Sequence, residues 1–268
     1  MDGLGRGIRE IVEAGTRTEA FLFFYMPTQL LFTRFLNEHL ATPVTAFLNA
    51  LHIHPVSPEA PITNAFSMEL LVFAVLIAYF IAVRLTLSVE KPTAVQHLAE
   101  MTNEFVSDQG EQIIGHGYER FVTYLTSLFL FILLSNLIGL VPGLESPTAN
   151  VVVPLGFAIL TFLYYHFHGV RSNGFAYIKQ FLGPVWWLYP LLFPIEIISH
   201  FARILSLTVR LYANMFAGDL LTIAFFSLIP IGIPLVFLGL HLGVAVIQAY
   251  VFMLLAAIYL SLAVAHDH

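Results

Sequence analysis

An all-α integral membrane protein is predicted by three features of the 268-residue sequence. Hydrophobic residues make up 58% of the chain and charged residues 10%, whereas soluble domains carry about 25% charged residues. Apolar runs recur at the ~20-residue length that a helix needs to cross a bilayer. The stretch Pro190 to Leu221, PLLFPIEIISHFARILSLTVRLYANMFAGDLL, is apolar enough to lie in lipid, yet it carries Glu196, His200, Arg203, Arg210 and Asp219. The expected architecture is three clear spanning helices, an amphipathic surface helix, and two long, strongly tilted C-terminal helices that form a hairpin.

The first 65 residues are expected to form an N-terminal extension, partly interfacial and outside. Residues 66–268 are expected to form the membrane domain. Residues 1–19 are polar. Ala20–Leu36 is rich in aromatics but broken by Pro27, Gln29 and Arg34, which favours an interfacial helix. Thr42–Thr63 holds Pro43, Pro55, Pro58 and Pro61 and reads as loop, with His52 and His54 as solvated loop residues. Phe66–Leu87 is the first span. No Lys or Arg occurs between Phe35 and Val83, while Arg84 and Lys91 close the span, so its N-terminal end is expected outside and its C-terminal end in the cytoplasm.

Pro92–Gly117 alternates Val95, Leu98, Met101/Thr102, Phe105 and Ile113 with Gln96, Glu100, Glu104, Asp108 and Glu111 at helical spacing. That pattern predicts a surface helix on the cytoplasmic side. Arg120 opens the second span, Phe121–Val141, in which Asn136 suits a helix-to-helix hydrogen bond. The third span, Val151–His168, is followed by Arg171 and Lys179. Gly183–Tyr189 reads as a turn, with Trp186, Trp187 and Tyr189 as interface anchors. The helix after it is closed by Pro230, Gly232 and Pro234, and Leu235–Val264 is the last helix, with the AHDH tail on the cytoplasmic side. Both final helices exceed a crossing length and must tilt.

Arg210 carries the chemistry. An Arg at mid-bilayer costs ~3 kcal/mol on insertion scales and ~10 or more in simulation. It lies about twenty residues, about 30 Å, from either end of the apolar run, too far to snorkel unless the helix lies flat. At 100° per residue, Glu196, Arg203, Ser206, Asn214 and Ala217 fall within about 40° of Arg210, while Asp219 points to the opposite side. Ser206, Ala217 and Gly218 are small enough to let a helix from outside this chain approach. In the last helix His241 and Gln248 share a face with Ala245 and Phe252. His241 reads as a proton relay facing Asp219, its ordinary pKa of ~6.5 suiting exchange near neutral pH, against a hydrogen-bonded core histidine. Gln248 reads as orienting Arg210, against a purely structural hydrogen bond.

Several classes are excluded. The sequence has no Cys, which removes disulfides, thiolate metal sites and Cys nucleophiles. It has no Walker loop, HExxH or GxSxG, and its His residues lack the paired spacing of a bis-haem cytochrome. Lys91 and Lys179 are its only lysines, so there is no basic surface for nucleic acid. No cofactor and no metal are expected. No internal repeat is evident, which weighs against the competing class, a stand-alone proton or cation transporter.

The run LSLTVRLYANMFAGDLL resembles the signature of subunit a of F-type ATP synthases: Ser206, then Arg210-Leu, Asn214-Met, and Ala-Gly before an acid or His. Further segments extend the resemblance from about Phe66 onward: PTAVQHLAE and FVSDQG, ERFVTYLTSLFLFILLSNLIGLVPG, PTANVVVP, PIEIISHFARIL and HLGVAVIQAYVFMLLAAIYLSLAVAH. The resemblance implies that Arg210 is the family's essential Arg and that Asn214 and Gln248 are its polar neighbours. It implies that Glu196 stands near a cytoplasmic half-channel and that Asp219 and His241 line an outer one. Asp219 departs from the Glu common there. By resemblance the partners are c-ring subunits, the subunit b peripheral stalk, other ATP synthase subunits and the lipid bilayer. The location implied is a bacterial inner (plasma) membrane, multi-pass, N-terminus outside and C-terminus cytoplasmic. The chain would then be no enzyme by itself but the ion-conducting subunit of one.

Overall fold

The computed structural model describes residues 29–52, 60–88, 91–141, 143–174, 177, 189–228 and 233–264. Among them are seven α-helices, a short 3-10 turn and no strand: α1 (Leu31–Ala50), α2 (Asn64–Leu85), α3 (Ala94–Ile114), α4 (Glu119–Ile138), the 3-10 turn Pro147–Ala149, α5 (Val152–Asn173), α6 (Tyr189–Leu228) and α7 (Ile233–Val264). Five of these helices, α2 and α4 to α7, are long and apolar enough to cross a membrane. The protein is an all-α integral membrane protein. The polar residues 1–19, the part of Ala20–Leu36 before Gln29, His54 with the neighbouring Pro55 and Pro58, the Gly183–Tyr189 turn up to Leu188, the helix-closing Pro230 and Gly232, and the AHDH tail lie outside the described residues.

The expected loop at Thr42–Thr63 is corrected at its start, because α1 continues through Pro43 to Ala50. Proline removes one backbone donor from a helix interior. The good helix formers Ala46, Leu48 and Ala50 carry the helix on beyond it. The first half of α1 is pinned to the start of α2. Asn37 forms a pair of hydrogen bonds with the Ile62 backbone, donating from Nδ2 and accepting at Oδ1, both at 3.1 Å. Thr33 and Ser67 share a buried hydroxyl hydrogen bond. Helix α2 starts where the Thr63 hydroxyl accepts from the Phe66 N–H at 3.3 Å, and α3 repeats the device with Thr93 and Gln96 at 3.3 Å. Gly115 ends α3 at a φ of +75°, a conformation that needs glycine.

Helix α3 leaves Val95, Leu98 and Met101 exposed, so the first half of its apolar face turns away from the protein, as a helix lying on lipid requires. Further along the helix, the edge of that face meets α7, where the Phe105 ring lies 5.6 Å from that of Tyr250. Tyr250 donates to Gln109 at 3.0 Å, and Ser261 donates to the Ile113 carbonyl at 2.8 Å.

The core sits where α7 packs along α4, α5 and α6. Ala245, Ala249, Ala256 and Ala263 of α7 are buried on one face, with Phe252, Met253 and Leu260 beside them. In lipid there is no hydrophobic drive between helices, so close packing of small residues holds them together. Asn136 makes the helix-to-helix bond expected of it: its amide donates to the Ala245 carbonyl at 3.2 Å and accepts from Thr148 at 2.7 Å. With 40 and 32 residues, α6 and α7 measure about 60 and 48 Å, well beyond the ~30 Å hydrocarbon core.

Candidate functional site

Helix α6 buries Leu207, Leu211 and Met215, spaced four apart, in the core. That stripe rotates the rest of the helix outward. Ser206, Ala213, Asn214 and Ala217 are exposed and Arg210 is half-buried among them. No carboxylate among the described residues pairs with Arg210. A carboxylate paired with Arg210, which the stand-alone transporter reading calls for, is therefore not found among the described residues.

Beside Arg210, Asn214 donates from Nδ2 to Gln248 Oε1 of α7 at 2.9 Å. Gln248 is buried and its Nε2 has no partner. The structure thus joins Gln248 to Asn214.

Asp219 lies about 13 Å along the helix from Arg210, at 1.5 Å per residue. Its Oδ1 is 3.8 Å from His241 Nδ1, too long for a direct hydrogen bond and suited to a bridging water. The His241 ring is 5% exposed and its Nε2 has no partner. It stands against the backbone of Gly218, where an added Cβ would fall 2.8 Å from Nε2. This corrects one expectation: Gly218 is small for the benefit of this chain's own α7. Ser206 and Ala217 remain open to an outside helix.

Two polar cavities flank this region. One, of about 300 Å³, is lined by Asp219 and Phe216 of α6, Thr63 and Asn64 at the start of α2, and Glu145, Ser146 and Asn150 around the 3-10 turn. The other, of about 190 Å³, is lined by Glu196, His200, Arg203, Tyr165, Tyr177 and Tyr259. Glu196 Oε1 lies 3.3 Å from His200 Nδ1 and 3.8 Å from Arg203 Nη2. The His200 Nδ1 also meets the Glu196 carbonyl at 2.8 Å; a carbonyl can only accept, so Nδ1 carries the proton. Arg203 lies over the Tyr259 ring at 5.4 Å. Glu196 is about 21 Å along the helix from Arg210 on the side away from Asp219.

The sequence reading missed Glu145 and Asn64 as site residues. Glu145 sits in the segment GLESPTAN and only becomes visible once the 3-10 turn folds back over α6. Its adjacency to PTAN was the available signal.

A family model described as ATP synthase A chain matches residues 65–261, from the start of α2 to within the last turn of α7. The chain belongs to the ATP synthase A chain family. Relatives agree along most of their length. The chain is 59% identical over 244 residues to the ATP synthase subunit a of Koribacter versatilis, covering 91% of this chain and all of that protein. It is 44% identical over 234 residues to that of Solibacter usitatus, covering 87% and 99%. It is 38% identical over 232 residues to that of Trichlorobacter lovleyi, covering 87% and 95%. The chain is thus a multi-pass membrane component of the ATP synthase A chain type, and the Arg210 face and most of the lining of both cavities fall within the matched residues, with Thr63 and Asn64 just before them.

Proposed function

We propose that this chain is the stator subunit of an F-type ATP synthase that supplies two half-channels, carries protons to and from a rotating c-ring, and so couples proton flow to ATP synthesis. One observation carries the reading: Arg210 lies half-exposed on a face of small residues, with no acid paired to it among the described residues, along α6 between the two polar cavities. The Asp219 cavity, with His241 behind that carboxyl, serves as the outer half-channel and the Glu196 cavity as the inner one. Residues 66–268 form the membrane domain and residues 1–65 an outer extension. The subunit b stalk and other ATP synthase subunits hold the chain in a bacterial inner membrane, N-terminus outside and C-terminus cytoplasmic. It hydrolyses nothing by itself.

The chemistry follows from charge. A ring subunit presents a buried carboxyl, neutral while it faces lipid. Beside Arg210, an ion pair at ~4 Å and an effective dielectric of ~20 stabilises the carboxylate by ~4 kcal/mol. The proton leaves into the cavity the carboxyl can reach. A guanidinium is not a proton donor in proteins, so no proton passes between the cavities except on the ring. A potential of 100 mV contributes ~2.3 kcal/mol per charge moved. Asn214 and Gln248 hold the polar surroundings of the guanidinium, and Ser206 leaves room for the ring helix.

The test is Arg210→Ala in the assembled complex. ATP synthesis driven by a proton gradient should be lost, and Arg210→Lys should fail as well, because a compact ammonium cannot replace the planar fork. Synthesis near wild type in the Ala variant would overturn the reading.

A further inference from the structure

We infer that Glu145, aimed by Asn64, is the proton-collecting carboxyl at the mouth of the Asp219 cavity, so that a proton entering from outside is taken up first at Glu145. This rests on the outer half-channel reading above. The two carboxyls are the titratable groups that line the cavity of about 300 Å³. The space holds several waters, each taking about 30 Å³ in the liquid, so a hydrogen-bonded water path between the carboxyls fits inside it.

The orientation of Asn64 is set by its two neighbours. The Leu30 N–H donates to Asn64 Oδ1 at 3.2 Å, so the oxygen faces Leu30 and the Nδ2 amine faces Glu145 Oε1, at 3.3 Å. Glu145 thus meets a neutral donor and no cation. A carboxylate locked to Arg or Lys would stay ionised; this one is free to exchange. Burial pushes its carboxyl above the usual carboxylate range, and the Asn64 bond opposes that push. The charged and titratable groups around it are few. Helix α6 presents Asp219, with His241 of α7 behind it at 3.8 Å. Helix α2 and the 3-10 turn present neutral Asn64, Thr63, Ser146 and Asn150. In α1, Arg34 and Glu38 pair with each other at 3.0 Å and do not line the cavity. Position follows the same logic: Glu145 sits in the connection between α4 and α5, on the side where α2 begins, and Asp219 lies beyond it on α6.

The experiment measures ATP synthesis by the whole complex in proteoliposomes against outer pH, at fixed inner pH and potential. Glu145→Gln should lower the outer pH of half-maximal synthesis by about one unit, tenfold in proton concentration, with the loss largest at alkaline outer pH. Glu145→Asp should restore the wild-type profile. Asn64→Ala removes the bond that favours the ionised form, so it should move the half-point the other way, to higher pH, and it tests the same idea if Glu145→Gln does not assemble. A Gln profile that superimposes on wild type, or one lowered equally at every pH, would overturn the inference, as would an Asn64→Ala profile that does not move. A half-point that follows sodium concentration at constant pH would overturn the proton assignment. Arg210→Ala run alongside separates the two levels: its retention of synthesis defeats the functional reading, while its loss with an unmoved Glu145→Gln profile defeats this inference alone.

Discussion

The imidazole of His241 rests on the backbone of Gly218, so close that a Cβ at position 218 would fall 2.8 Å from Nε2 and 2.9 Å from Cδ2. The next residue along α6, Asp219, holds its Oδ1 3.8 Å from Nδ1 of the same ring. One glycine therefore sets how far the His241 ring sits from the Asp219 carboxyl.

Gly218→Ala should displace the ring and cost about 1–3 kcal/mol, as overpacking of close contacts does. The amount of assembled complex should fall on heating. In a His241→Ala background the clash is gone, so adding Gly218→Ala should cost little more. A double-mutant cycle on thermal stability checks this, and strict additivity would show that the two positions do not meet.

Asp219→Leu and His241→Leu should each slow proton-driven synthesis by more than the change in assembly explains. If both stand on the proposed outer path, the double variant should be much less than additive in its effect on the rate. Rates indistinguishable from wild type at saturating driving force would leave the pair as packing residues.

The outward face of α6 can be mapped with thiols, since the chain has no Cys to give background. Thiols at Ser206 and Asn214, within about 40° of Arg210, should crosslink to a ring subunit in the assembled complex. A thiol at Leu205 is the control: that residue is 65% exposed, but it lies about 140° around the helix from Arg210. Equal yields at all three positions would refute the facing argument.

The sequence made the spans legible because length and hydropathy are the whole of that signal in lipid. Structure moved their ends by a few residues: Phe66–Leu87 became Asn64–Leu85, and Val151–His168 became Val152–Asn173. Helical phase placed Ser206, Asn214 and Ala217 with Arg210, because one regular helix carries them all. The contact of Asp219 with His241 could be anticipated from the short hairpin between two helices. Three things could not be read. The continuation of α1 past Pro43 depends on how much helix the flanking alanines and leucines support. The use of Gly218 depends on which way the His241 ring turns. The approach of Glu145 to Asp219 depends on a 3-10 turn folding α4's connection over α6, and no periodicity in the chain records that.

The row of buried alanines along α7 has a mechanical meaning. Ala245, Ala249, Ala256 and Ala263 have no rotamers to yield, and a close-packed interior is hard to compress and passes strain on. A sideways push delivered to the outer strip of α6 meets α7 as a stiff backing plate. The reaction force then goes into α4 and α5 with little bending of α6. Friction against a moving partner would be met by a surface that keeps its shape, and the distance between the Arg210 guanidinium and each passing helix would stay constant from one step to the next.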